Sequence, residues 1–304
     1  MTEQSKTIVF QGEAGANSHI ACGEIFPDFE PSPRDTFEDA FAAVVKGEAR
    51  YAMIPIENSV AGRVADIHHL LPQSGLYIVG EHFLRVRHQL LARAGASLDK
   101  LKSVHSHVHA LGQCRDIIRE LGLKPVVAAD TAGSARWVAE EGDETTASIA
   151  SNLAAEVYGL KVLRQDIEDA DHNTTRFVIL AAKPDDAAPD EGPIITSFVF
   201  RVRSVPAALY KALGGFATNG VNMSKLESYM VGGSFSAAQF YADIEGHPAD
   251  RLVGLALEEL GFFSSEIKIL GAYKASPLRA KIEAESQGVR PMLGAPRAIG
   301  LDAG

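Results

Sequence analysis

Asn173-Thr174-Thr175-Arg176-Phe177 packs two amide and hydroxyl types and a guanidinium into five residues, then runs straight into the apolar Val178-Ile179-Leu180-Ala181. A polar cluster entering a β-branched run reads as the mouth of a strand, which holds its first side chains rigidly at the end of a sheet. There Thr175 can donate or accept a hydrogen bond, and Arg176 offers a planar fork of donors matched to a carboxylate. Taken alone, the pentapeptide is read as a capped strand entrance with a surface arginine. Three other segments change that reading.

Gln11-Gly12-Glu13-Ala14-Gly15-Ala16-Asn17-Ser18-His19 follows a strand-like Thr7-Phe10 and precedes a helical pattern. Its glycines allow a tight turn, Ser18 can cap the helix, and free N–H groups at a helix N-terminus attract anions. The G-x-x-G spacing is not the dinucleotide fingerprint, and a plain strand–turn–helix explains the segment equally well. Pro55-Ile56-Glu57-Asn58-Ser59-Val60-Ala61-Gly62 places three polar side chains in a row after the strand Tyr51-Ile54. Asn58 could donate to a ligand oxygen and Glu57 could steady a neighbouring donor; Asn58-Ser59 could also be a helix cap. Ser106-His107-Val108-His109-Ala110-Leu111-Gly112-Gln113-Cys114 opens a helix after a third strand, with Ser106 near its cap and Gln113 about two turns inside. His105, His107 and His109 lack i, i+4 ligand spacing, so no metal site is expected.

All these segments are polar, and each lies where a strand passes into a turn. Open α/β sheets place ligands there. A cleft lined by hydroxyls, amides and one arginine suits a small carboxylate-bearing substrate. With no nucleophile–base pair, metal set or cofactor loop, chemistry would rest on positioning and on stabilising developing charge.

The elements that must hold these side chains alternate. Strands are expected at Thr7-Phe10, Tyr51-Ile54, Leu76-Val79, Ser103-Val104, Val126-Ala128, Ser148-Ala150 and Phe177-Ala181, and helices at Phe37-Lys46, Val64-Leu71, His109-Leu121, Ser134-Glu141 and Leu153-Tyr158. That order implies layered α/β architecture over residues 1–183. Residues 184–193, with Pro189, Gly192 and several acids, read as a linker. Residues 194–274 run strand (Ile194-Arg203), helix (Pro206-Ala217), strand (Val221-Met230), strand (Ser236-Glu245), helix (Ala249-Leu260), strand (Ile267-Gly271), the ferredoxin-like β-α-β-β-α-β order. Residues 275–304 read as a tail, loosely ordered or draped on a neighbour. The 304-residue chain is 46% hydrophobic and 22% charged, and its net charge of -10 argues against nucleic-acid binding. No segment looks like a signal or membrane span, and Cys22 and Cys114 form no disulfide framework, which points to a reducing cytoplasm.

Over nearly its whole length the chain resembles monofunctional prephenate dehydratase. Phe10-Gln11-Gly12 with Gly15 and Ser18 looks like that family's first glycine motif, departing from it at Ala16-Asn17, where many members have Thr-Tyr. Pro55-Ile56-Glu57-Asn58-Ser59 with Gly62 matches its second motif. Ser106-His107 with Ala110-Leu111 and Gln113-Cys114 is similar to its third, with Val108-His109 in place of Pro-Gln. Asp130-Thr131-Ala132 is similar to a further segment, and Asn173-x-Thr175-Arg176-Phe177 matches its catalytic signature.

The resemblance implies conversion of prephenate to phenylpyruvate with loss of carbon dioxide and water, without metal or organic cofactor. It implies a site between two periplasmic-binding-protein-like lobes. Thr175 would hydrogen-bond the leaving hydroxyl, and Arg176 would take a carboxylate. Asn58, Ser106 and Gln113 would orient the substrate and Glu57 would orient them. Ser18, Ser59, Asn173, Thr174 and Phe177 complete the expected substrate-binding set. Residues 194–274 resemble the ACT domain, a small-molecule sensor. Ala208-Leu209 stands in its Gly-Ala-Leu turn, and Asn222, Met223, Leu226, Glu227 and Ser228 fall in its second segment, with Tyr229-Met230 where Arg-Pro is usual. L-phenylalanine is the expected effector, and a homodimer or homotetramer the expected assembly. Arogenate as substrate and non-catalytic ligand binding remain the alternatives.

Overall fold

The computed structural model describes residues 6–203, 205–230 and 238–281. The chain opens with β1 (Thr7–Gln11), α1 (Asn17–Ile25), β2 (Glu30–Arg34), α2 (Phe37–Val45), β3 (Tyr51–Asn58), β4 (Gly62–Arg63), α3 (Ala65–Leu70) and β5 (Tyr77–Arg85). It crosses to a second lobe of β6 (Gln89–Ala92), β7 (Ser103–His107), α4 (Val108–Gln113), α5 (Arg115–Glu120), β8 (Lys124–Ala128), α6 (Thr131–Glu140), β9 (Thr146–Ala150), α7 (Asn152–Tyr158) and β10 (Lys161–Arg164). Then β11 (Thr174–Ala181) returns to the first lobe. The first sheet has the order β2-β1-β3-β11-β5, with β4 paired to β3, and the second β10-β6-β9-β7-β8. The chain therefore crosses between lobes twice, just after β5 and just before β11.

Every strand expected in the first 181 residues is present, most of them longer than the apolar pattern suggested. β2, with the sequence Glu-Pro-Ser-Pro-Arg, was not expected. Prolines cannot donate to a ladder, but β2 lies at the sheet's edge, where that loss is tolerated. The single helix expected over His109–Leu121 breaks at Cys114 (φ -129°, ψ 36°). The Asp169 carboxylate accepts from the N–H groups of Arg115 and Asp116 and so caps a new helix start there.

The C-terminal unit contains β12 (Ile194–Val202), α8 (Ala208–Thr218), β13 (Met223–Met230), β14 (Ala238–Glu245), α9 (Arg251–Phe263) and β15 (Ser264–Lys274), with sheet order β13-β14-β12-β15. This is the expected β-α-β-β-α-β order. The expected strand start at Ser236 lies outside the described residues, as do residues 282–304 of the tail. The described part of the tail returns to the first lobe, where Glu81 accepts from the Ser276 N–H and from the Arg279 guanidinium. The linker is not free either: Asp186 and Ala187 bond the backbone of Ala272 on β15.

One face of the C-terminal sheet is fused to the first lobe. Phe41, Val44, Ile67, Leu71 and Ile78 share a single buried cluster with Ile195, Val199, Tyr241, Leu270 and Tyr273. β15 crosses β5 so closely that a Cβ on Gly271 would sit 1.9 Å from the Ile78 carbonyl oxygen. Only a residue without a side chain permits that approach. Gly271→Ala should therefore destabilise the protein by roughly 3 kcal/mol, read as a lowered midpoint in urea unfolding. A midpoint equal to wild type would show that the contact yields easily.

Candidate active site

The register of β3 against β11 sets Thr175 opposite Asn58 and Arg176 opposite Glu57. Side chains alternate along a strand, so these adjacent pairs face opposite sides of the sheet. Thr175 shares its side with Phe177 and Ile179, which pack under α1 in one buried cluster with Leu84. Arg176 points the other way, into the seam with the C-terminal unit.

On the α1 side a chain of hydrogen bonds runs from the second lobe to Thr175. His88 Nε2 and Asn173 Nδ2 both lie 2.9 Å from Gln113 Oε1. Asn173 Oδ1 accepts from Asn58 Nδ2 at 2.8 Å, and the same Asn58 amide donates to Thr175 Oγ1 at 2.9 Å. The amide orientations are fixed by bookkeeping of donors. Asn58 Oδ1 accepts the backbone N–H groups of Val60 and Ala61, so its nitrogen must face Thr175 and Asn173. Gln113 Oε1 then receives a proton from Asn173, so His88 must donate through Nε2. Burial pulls the His88 imidazole below its ordinary pKa, against the opposing pull of Gln113 and Glu168, which favours the neutral ring.

Two donors are left over. Thr175 Oγ1 accepts from Asn58, and its own proton has no acceptor among the described residues. The Gln113 side-chain N–H₂ likewise has no protein partner there. Thr175, Asn58, Asn173 and Gln113 are therefore brought together as the sequence suggested. His88, buried just past the end of β5, was not anticipated. Its signal was weak: a lone histidine before the apolar Leu90–Ala92.

The remaining expected residues sit elsewhere. Ser106 is fully buried and donates to the Ile149 carbonyl at 2.6 Å, tying β7 to β9 instead of facing the cleft. His107, not Ser106, caps α4. Ser18 lies inside α1, whose N-cap is Ala16, so it does not cap. Ser59 donates to the His172 carbonyl and accepts from the Thr174 N–H, pinning the approach to β11. Phe177 is core.

Arg176 and Glu57 depart furthest from expectation. Arg176 is 2% exposed. Its Nε donates to Glu81 at 2.8 Å, Nη1 to Asp243 at 2.5 Å and to Glu57 at 3.2 Å, and Nη2 to Tyr273 Oη at 3.0 Å. The fork that was expected to hold a substrate carboxylate is filled by protein carboxylates. Glu57 does not touch Asn58's amide; its second oxygen meets Lys225 Nζ at 2.5 Å. Burial opposes ionisation of Glu57, yet Lys225 and Arg176 outweigh it and hold the carboxyl below its usual range. Asp243 is likewise penalised by burial and held low by Arg176 and Ser197. Removing Arg176 would leave the fully buried Asp243 without its cation, a loss of roughly 3–5 kcal/mol.

The two lobes meet over the first glycine loop. Ser151 Oγ donates to the Gly15 carbonyl, Tyr158 Oη to the Ala14 carbonyl, and Arg136 pairs with Glu13. Gly15 has φ +86°, and a Cβ there would lie 2.6 Å from Ala154 Cα, so the junction needs glycine. Beside Leu84, the register partner of Thr175 on β5, a cavity of about 400 Å³ opens between Asn17 and Ile20 of one lobe and Ser151 and Asn152 of the other. Burial pushes the Cys22 thiol up to about 12 and raises that of Cys114 too, so neither offers a thiolate nucleophile. The expected effector residues divide between layers. Ala208 and Leu209 open α8, Asn222 precedes β13, and Met223, Leu226, Glu227 and Ser228 lie along that edge strand, where Arg63 donates to the Ser228 carbonyl.

The model of the prephenate dehydratase family matches residues 8–185. Over 276 residues the chain is 52% identical to a bifunctional N-acyl-homoserine lactone acylase/prephenate dehydratase of Komagataeibacter europaeus, covering 91% of this chain and 98% of that one. It is 37% identical to the chloroplastic arogenate dehydratase/prephenate dehydratase 2 of Arabidopsis thaliana, covering 88% and 72%. A solved structure of prephenate dehydratase from Arthrobacter aurescens in complex with L-Phe superposes with a TM-score of 0.82 at 30% identity, over 93% of this chain and 98% of that one.

Two outcomes are expected from this geometry. His88→Phe should keep the fold but lower kcat/KM about tenfold, the effect of one lost hydrogen bond next to the reacting groups; an unchanged value would remove His88 from the chain of donors. The second concerns acid. Asp243 has a depressed folded pKa, so its contribution to stability is intact above the ordinary aspartate value, about 3.9, and is lost as pH falls through the folded value. Asp243→Asn should therefore flatten the fall in urea-unfolding free energy below about pH 4. A variant with the wild-type slope would assign that acid sensitivity elsewhere.

Proposed function

Because the chain belongs to the prephenate dehydratase family, we propose that it converts prephenate to phenylpyruvate, carbon dioxide and water through the hydroxyl of Thr175. The carrying observation is the free proton on Thr175: Asn58 occupies the oxygen as donor, so the hydroxyl can point its own hydrogen at an incoming oxygen.

The reaction consumes one proton. The bond from the ring to its carboxylate breaks, its electron pair flows into the ring, and the opposite C–O bond breaks to give an aromatic product. The departing oxygen leaves with growing negative charge. A threonine hydroxyl is too weak an acid to protonate it in the ground state, but a pre-aimed O–H stabilises that charge as it develops. The open N–H₂ of Gln113 is a second donor in the same row. Asn173 and His88 hold both in place.

The withdrawal of Arg176 fits this chemistry. The ring carboxylate loses its charge as carbon dioxide forms, so a guanidinium paired with it would stabilise substrate more than transition state. The amides and hydroxyls gathered at Thr175 avoid that penalty. The cavity lined by Leu84, the register neighbour of Thr175, is large enough for a ten-carbon diacid, and Arg85 in its wall, 3.5 Å from Glu168, is the cation suited to the side-chain carboxylate, which persists into product. The ammonium of arogenate would replace only the keto group next to that carboxylate, so both substrates remain compatible; the Arabidopsis relative carries both names.

The C-terminal unit acts as an ACT domain that binds L-phenylalanine along Ala208-Leu209 and Asn222–Ser228 and pairs copies into a dimer or tetramer. The relative from Arthrobacter aurescens, which holds L-Phe, supports that reading.

Purified protein incubated with prephenate should yield phenylpyruvate, followed by its absorbance in alkali, with arogenate run in parallel. Thr175→Ala should reduce kcat about a hundredfold or more, and Thr175→Ser should retain much of it. Absence of product above a heat-killed control would refute the activity, and a fully active Thr175→Ala would refute the role of the hydroxyl.

A further inference from the structure

The two residues of β3 and β11 that form the Thr175–Asn58 pair are each followed or preceded by a residue anchored in the C-terminal unit. Arg176 is held by Asp243 and Tyr273, and Glu57 by Lys225. These anchors are themselves fixed. Asp243 is fully buried and accepts from Ser197 Oγ, which lies 2.7 Å from Tyr273 Oη and accepts from Tyr241 Oη. Lys225 is bracketed by Glu57 and Glu227, and Arg63, paired with Glu57 across the β3–β4 hairpin, reaches Glu227 and the Ser228 carbonyl.

β11 is paired to β5 without a shift from Thr174–Arg85 to Ile179–Gly80, but on its β3 side the ladder is interrupted. The β3–β11 register shifts between Arg176 and Phe177, and such an irregularity interrupts regular pairing and increases local twist. Only the short pairing of residues 175–176 with 57–58 lies beyond it. How β3 sits against β11 there depends also on side chains, and on the rear face those of Arg176 and Glu57 bond to the C-terminal unit.

We propose that Lys225, Asp243 and Tyr273 are positioning residues for the dehydration, holding the Thr175–Asn58 pair in reactive geometry from the opposite face of the same two strands. The inference rests on the reading that Thr175 carries the chemistry. It makes the C-terminal unit a structural part of the active site. It also supplies a route for regulation: Lys225 immediately precedes Leu226-Glu227-Ser228, so a ligand displacing that segment pulls directly on Glu57.

The test uses the full chain with Tyr273→Phe, Lys225→Met and Lys225→Arg, alongside Asp243→Asn. Tyr273→Phe and Lys225→Met each remove one polar anchor and retain much of the side-chain bulk, so they decide the matter should Asp243→Asn fail to fold. Each should lower kcat about tenfold with KM within about twofold, the signature of misaligned reacting groups, and Lys225→Arg should restore most of the loss. Hydrogen exchange of peptides spanning residues 55–60 and 172–177 should quicken in Tyr273→Phe and Lys225→Met and not in Lys225→Arg. Wild-type exchange in the two anchor-removing variants, or wild-type kcat in both, would overturn the proposal. A wild-type protein that turns over no prephenate would instead defeat the assigned reaction, and the exchange measurement would still decide whether the anchors hold the strands.

Discussion

A single guanidinium, that of Arg176, sits out of solvent between carboxylates drawn from three parts of the chain: Glu57 on β3, Glu81 on β5 and Asp243 on β14. Arg279 pairs with Glu81 as well, and Lys225 with Glu57, so each of these two acids meets a second cation. No member of the cluster is tolerable there alone, since an unpaired buried charge is expensive and a fully bonded one is not. The planar fork of arginine reaches four acceptors in fixed directions, Glu81, Asp243, Glu57 and Tyr273. Folding of the first lobe and docking of the C-terminal unit are thereby linked through one side chain, next in sequence to Thr175 on the opposite face of β11.

The two faces of β11 thus do different work. One presents hydroxyl and amide donors with their protons counted out by neighbours; the other carries ionic and aromatic anchoring. The one-residue alternation of a strand is enough to separate them. A cleft containing free cations would bind a dianion tightly but would resist its decarboxylation. Keeping the guanidinium behind the sheet retains its organising effect and removes its charge from the reacting carboxylate.

Much of this was legible in the sequence. The alternation of strands and helices and the β-α-β-β-α-β order follow from apolar periodicity, and the polar segments at strand ends contain Asn58, Gln113, Asn173 and Thr175, which the fold brings into one row of hydrogen bonds. What could not be read was the direction of each side chain. Arg176 and Glu57 are polar residues in strands buried on both faces, so no amphipathic pattern reveals which side they take, and their partners lie up to 168 residues away. Ser106 looked like a helix cap because its acceptor, the Ile149 carbonyl, is supplied by a strand not adjacent in sequence. His88 was overlooked because it falls in a crossing between lobes, where no periodicity marks it. Short edge strands such as β2 escaped for the opposite reason, their prolines signalling a turn.

The shared core has a bearing on how such proteins can be recombined. Because Gly271 lets β15 lie against the Ile78 carbonyl, and Ile195, Val199 and Tyr241 fill the same apolar space as Phe41 and Ile67, the C-terminal half is no detachable cartridge. A chimera that grafts a foreign C-terminal half onto this dehydratase lobe must import matching acids, tyrosines and a glycine at the seam, or inherit a bare hydrophobic wall and an orphaned guanidinium directly behind Thr175.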